Sequence, residues 1–221
     1  MTTFSAVMRR VAACIARLRH YITQAGPILV IVPMMAIVSL AGCTSLVIGA
    51  GATAGVSAMQ ERGFQGAVSD AAITANLWRK YLEVDENMFR MIDIEVVEGE
   101  VLLAGQVRNP EHQLEAVRIA WQTDGVKRVH NEIAVTEPVS LMTTANDLLI
   151  TTRIKTALMF DTDVYAINYS IETVNGTVYI MGIAQNETER DQVISHARNT
   201  GYVRRVISHV RLKDDPTRQR I

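Results

Sequence analysis

The chain reads as an α+β protein of two tandem domains, each α-β-β-α-β with a small three-stranded mixed sheet covered by two helices. Three observations predict this. From Asp70 onward the sequence repeats itself at a constant shift of 77 residues with no gap: Asp70 with Asp147, Ile73 with Ile150, Ile94-Glu95 with Ile171-Glu172, Gly105 with Gly182, Asn109 with Asn186, and Arg128-Val129 with Arg205-Val206. A shared register of that length is a duplication. Each copy holds two β-branched, alternating runs joined by Glu98-Gly99 or Asn175-Gly176, a hairpin signal. Each pair of runs is flanked by segments whose apolar residues recur at helical spacing.

The elements follow in order. Asp70 and Asp147 are N-cap candidates. Ile73, Leu77 and Tyr81, and in the second copy Ile150, Ile154 and Leu158, mark a first helix of three to four turns. The outgoing strands are Ile92 to Val97 and Tyr169 to Val174; the return strands are Val101 to Gln106 and Val178 to Ile183, holding Gly105 and Gly182 near their ends. Gly99, Asn175 and Gly176 form the turns. A second helix spans about Pro110 to Gln122 and Glu187 to Asn199, with Pro110 suited to a first turn. The last strand, Val126 to Val135 or Val203 to Leu212, places Val126, Val129, Ile133 and Val135 on one side. Domains of little more than 60 residues bury only about 60% of their unfolded surface, so the copies should pack on each other through the connector Thr136 to Ala145, which contains Pro138.

The N-terminus carries four arginines (Arg9, Arg10, Arg17, Arg19) and no acidic residue within its first 42 residues, then the apolar run Ala25 to Ala41 and Leu40-Ala41-Gly42-Cys43. A basic segment, an apolar segment and small residues before a cysteine make a lipoprotein signal with Cys43 as the acylated residue. A transmembrane helix needs about 20 apolar residues, and this run has 17, interrupted by Pro27 and Pro33. Thr44, in place of a retaining aspartate, suits export to the outer membrane. The division is then 1–42 signal peptide, 43–68 acylated tether, 69–136 first domain, 137–145 linker, 146–213 second domain and 214–221 tail.

Cleavage would remove Cys14 and leave Cys43 to Ile221, without a disulfide. It would also shift the net charge from −1 to about −5 by removing four arginines, which disfavours nucleic-acid partners. The glycines between Gly49 and Gly55 follow no strand, so they read as a flexible tether and not a dinucleotide-binding loop.

The helix opening Ile150-Thr151-Thr152-Arg153-Ile154-Lys155, the hairpin Glu172 to Gly182 with Met181-Gly182, and Val203-Arg204-Arg205-Val206 resemble the BON-domain family; so do Gly99-Glu100-Val101-Leu102-Leu103-Ala104-Gly105 and Gly125-Val126-Lys127-Arg128-Val129 in the first copy. With a lipobox and two copies, the chain looks like the dual-BON outer-membrane lipoproteins. That resemblance implies a non-catalytic, periplasm-facing, palmitate-bearing protein that binds anionic phospholipid, supports outer-membrane integrity and gathers at division sites. It also implies membrane contact through the first helix of the second copy, although the family's tryptophan before Ile-Thr-Thr is here Leu149.

The residues of that helix support the same assignment. At 100° per residue, Ile150, Ile154, Ala157 and Leu158 share an inward face. Leu148, Leu149, Met159 and Phe160 lie opposite, among Thr152 and Thr156, with Arg153 and Lys155 at the edges. An apolar face rimmed by cations suits an anionic bilayer. The same face would also pack on the first copy or, in a periplasmic adaptor, on a protein partner. The equivalent helix of the first copy presents Ala71, Ala75, Arg79, Leu82 and Glu83 outward, an expectation of little apolar area.

No catalytic, cofactor or metal site is expected. His112, His130, His196 and His209 lack the paired spacing of metal ligands. Asp161, Asp163, Asp85 and Glu86 sit where carboxylates cap turns, and Ser170, Ser195 and Ser208 lack a nucleophile setting.

Overall fold

The computed structural model describes residues 59–85, 90, 92–137 and 140–218. The expected signal peptide, the expected acylation site Cys43, the glycine-rich part of the expected tether, Glu86, Pro138 and the last three residues lie outside the described residues.

The first copy contains α1 (Gly63–Val84), β1 (Ile92–Val97), β2 (Glu100–Val107), α2 (Pro110–Trp121) and β3 (Arg128–Val135). The second contains α3 (Leu141–Phe160), a 3-10 turn (Ala166–Asn168), β4 (Tyr169–Val174), β5 (Thr177–Ala184), α4 (Glu187–Asn199) and β6 (Arg205–Leu212). Each sheet has the second strand of its copy in the middle: β2 pairs antiparallel with β1 and parallel with β3, and β5 does the same with β4 and β6. The second helix of each copy makes the crossover that a parallel pair requires.

Two cores lie between helices and sheets. Ile73, Leu77 and Tyr81 of α1 pack with Val101 and Leu103 of β2 and Ile119 of α2; Ile150, Ile154 and Leu158 of α3 pack with Ile171, Val178 and Ile180. A third cluster joins the copies, with Leu102 and Ala104 of β2 against Tyr179 and Met181 of β5. The layer order is therefore helices, sheet, sheet, helices. This explains why Val101-Leu102-Leu103-Ala104 and Val178-Tyr179-Ile180-Met181 read as unbroken apolar runs, for both faces of the central strands are buried.

The chain contradicts three sequence expectations. Asp70 and Asp147 are not N-caps, since they lie well inside α1 and α3, which have 22 and 20 residues and begin at Gly63 and Leu141. The true cap of α3 is Ser140, whose side chain accepts from Thr143 N. Residues 63–68, assigned to the tether, are helical, and the connector between copies ends before Leu141. Of the residues placed on one side of the third strand, Ile133 is buried and Val135, the last residue of the strand, is 43% exposed.

The two aspartates face the hairpins. Asp147 accepts Asn175 N at 2.7 Å and Gly176 N at 2.8 Å; Asp70 accepts Glu98 N at 2.8 Å and Gly99 N at 2.9 Å. Both central residues of each turn have positive φ (Glu98 53°, Gly99 80°, Asn175 49°, Gly176 72°), the backbone of a two-residue turn matching strand twist. That geometry leaves the two turn N–H groups pointing together, and a buried carboxylate from the first helix satisfies both.

Candidate functional site

The outer face of α3 is built by the helix that the second core positions. Burying Ile150, Ile154 and Leu158 on the sheet side turns Leu148, Leu149, Met159 and Phe160 to solvent, with exposures of 59, 41, 75 and 84%. Thr152, Arg153, Lys155 and Thr156 are exposed between them. Ala157 is half-buried, and Thr151, on the inward face, donates to Thr173 Oγ1 at 2.8 Å.

The sheet-on-sheet contact settles where the first copy docks: it covers β5, not α3, so this apolar face is not an inter-copy surface. Because α3 starts at Leu141, the face extends further than the sequence suggested. Leu141 (90% exposed) and Met142 (71%) continue it by almost two turns. Starting the helix at Asp147 concealed them; Ser140, a capping residue type directly ahead of Leu141 and Met142, was the available signal.

The two edge cations differ. Arg153 is exposed. Lys155 lies 3.5 Å from Glu172, at the rim of the inter-copy seam where Asp93, Glu95 and Glu172 gather. Burial pushes Glu172 up to about 7; Lys155 opposes the rise, and Glu95 and Asp93 add to it. Burial also raises Glu95, which accepts Ser170 Oγ at 3.0 Å, and Asp93. Lys155 is therefore committed to an acidic edge, and most of the free positive charge on this face belongs to Arg153.

Beside the apolar contact of β2 and β5, the seam also carries a polar group. His130 and His209 have ring centroids 4.2 Å apart; His130 bonds Glu100 at 2.9 Å and His209 bonds Glu132 at 3.1 Å. Burial and the neighbouring His130 charge lower His209, against Glu132 and Glu100. Burial raises the Glu100 carboxyl, but the His130 hydrogen bond, Arg211 and Arg128 outweigh it and hold it below the usual range. His196 bonds Asp161 at 2.6 Å, and among the described residues no group of three His, Cys, Asp or Glu side chains is placed to hold a metal. Nor is any described helix long and apolar enough to cross a membrane.

Sequence reasoning missed two further features. Residues after β6 are not a free tail as far as Arg218, whose guanidinium is buried and makes two 2.8 Å bonds to Glu98 in the first copy's turn. A lone arginine near a terminus carries no signal for such a partner. The outer face of α1 is also richer in apolar area than expected. Phe64 (52% exposed), Val68 (53%) and Trp78 (44%) join Ala71, Ala75 and Leu82 (51%).

The comparisons agree with the fold. The BON domain family model matches residues 69–137 and 146–214. The chain is similar to an uncharacterized protein in the gshII 5' region of Anaplasma centrale, 40% identical over 69% of this chain and 100% of that one. It is also similar to the outer membrane lipoprotein DolP of Haemophilus influenzae, 30% identical over 66% of this chain and 77% of that one. The osmotically-inducible protein Y of Escherichia coli is 29% identical over 66% of this chain and 74% of its own length. A repeat of 77 residues whose two copies share strand order, turn geometry and a buried helix aspartate, matched twice by one family model, makes this chain a member of the BON-domain family with two tandem BON domains.

Proposed function

We propose that the chain is a non-catalytic outer-membrane lipoprotein of the DolP type, acylated at Cys43 and facing the periplasm, whose outer α3 face lies on anionic phospholipid. The observation that carries this reading is the exposed apolar face of α3, running from Leu141 to Phe160 on a folded, sheet-packed helix. Each large apolar side chain entering the acyl boundary contributes about 1.5 to 3 kcal/mol, and each free cation near an anionic surface about 1 kcal/mol. With Lys155 held by Glu172, apolar insertion dominates and Arg153 supplies the charge preference. A role in outer-membrane integrity, and at division sites, rests on the family resemblance.

Liposome flotation without the leader and acyl group tests the proposal. The parent should float with phosphatidylglycerol or cardiolipin vesicles, and Leu149→Glu should stay in the soluble fraction while retaining its melting temperature. Arg153→Gln should weaken flotation with anionic vesicles only. A folded Leu149→Glu variant that floats like the parent would refute lipid contact at this face. Failure of the parent to float would leave the face to a protein partner.

A further inference from the structure

The outward stripe of α1 has a spacing that α3 lacks. Phe64, Val68, Ala71, Ala75, Trp78 and Leu82 follow one another at intervals of 4, 3, 4, 3 and 4 residues, the a/d pattern of a helix that packs in a two-helix seam. All six are exposed. The order is also palindromic about the midpoint between Ala71 and Ala75. Turning a second α1 end over end sets Phe64 opposite Leu82, Val68 opposite Trp78, and Ala71 opposite Ala75. Bulky residues meet at both ends, and alanines meet in the middle, where helices approach most closely.

We infer that α1 is a self-association surface through which two copies of this chain pair antiparallel about a two-fold axis between Ala71 and Ala75. An isologous pair requires a self-complementary patch, and this spacing provides one without further adjustment. Along the open rim, Gln65 of one copy faces Arg79 of the other, and Ala72 faces Ala72 across the axis, so no like charges oppose. Arg79 already pairs with Glu83 on its own helix at 2.6 Å. The composition argues against lipid as the occupant: alanines at the centre add little insertion energy, and Arg79, the basic residue on the open rim, has its charge offset by Glu83. The four large side chains, each about half exposed, represent about 100 Å² apiece, or ~800 Å² for the pair. That is below the standard interface size, so the dimer depends on concentration. Since α1 and α3 cover opposite outer layers of the sandwich, pairing leaves the α3 face open.

Cysteine bridging in the full chain tests this. With a short bis-maleimide, Ala72→Cys, beside the axis, should give a covalent dimer well above the parent's background. Gln65→Cys, on the same rim, should not, because its counterpart lies 14 residues along the helix, about 21 Å away. Adding Ala75→Glu, an exposed change that leaves the melting temperature unaltered, should abolish the Ala72→Cys dimer. Absence of an Ala72→Cys dimer, equal bridging at Gln65→Cys, or bridging unaffected by Ala75→Glu would each overturn the inference. So would loss of vesicle binding in Ala75→Glu with Leu149→Glu still bound, which would make the stripe a lipid contact. Leu149→Glu itself should leave bridging unchanged, separating this result from the lipid reading.

Discussion

Replacing Asp147 with asparagine tests the idea that a buried helix carboxylate holds each hairpin turn. In the folded chain Oδ2 accepts Asn175 N at 2.7 Å and Oδ1 accepts Gly176 N at 2.8 Å. Asparagine keeps the shape and one acceptor, but turns an NH2 donor toward a backbone donor. One charge-assisted bond, worth about 1.5 to 3 kcal/mol, is lost, and the facing N–H is left dry. The expected cost is about 2 to 3 kcal/mol, or roughly 5 to 10 °C in melting temperature for a unit of this size. Asp70→Asn should cost more, because Asp70 also pairs with Arg62 at 2.8 Å and that guanidinium would lose its carboxylate, keeping only the neutral acceptors Val96 O and Gln60 Oε1. Urea unfolding gives both values, and amide exchange should show Asn175 or Gly176 losing protection in the Asp147 variant. A change below about 0.5 kcal/mol at Asp147, or a smaller effect at Asp70, would refute the reasoning.

Gly182→Ala should destabilise the second copy by about 3 kcal/mol or more. A Cβ there would stand 2.2 Å from Asn168 O at φ 155°, and calorimetry matching the parent would show that the β4–β5 pair gives way freely. Arg218→Met should cost about 2 to 4 kcal/mol, less than for a pair that stays dry, because the freed segment admits water to Glu98. Glu98→Gln should then add little to it, and strict additivity of the two changes would argue against coupling. Glu172 has a folded pKa of about 7 against an ordinary 4.5. Folding is therefore favoured by its protonation: that contribution is fully present below about pH 4.5 and is lost as pH rises through 7. Glu172→Gln should raise stability relative to the parent at pH 8, by up to about 3 kcal/mol, and by much less at pH 5; an equal effect at both would remove the buried-carboxylate explanation.

The sequence by itself determined the duplication, the α-β-β-α-β order of each copy, the mixed sheets and the turn positions. These depend on local spacing: the 77-residue shift, apolar period and Asn175-Gly176 can all be read along one stretch of chain. It also identified Leu148, Leu149, Met159 and Phe160 as an outward face, since helical period and the core residues Ile150 and Ile154 fix which side is free. Only the tertiary structure decided what Asp70 and Asp147 do. A carboxylate's preference for backbone N–H groups is the same at a cap or at a turn, and the turn lies 28 residues away. The true helix starts at Gly63 and Leu141 were hidden by that ambiguity, and with them Leu141, Met142, Phe64 and Val68. The stacking of β2 on β5 and the burial of Arg218 against Glu98, 120 residues apart, also lay beyond reach. An apolar strand face or a lone arginine specifies that it needs a partner, and only the folded chain brings that partner near.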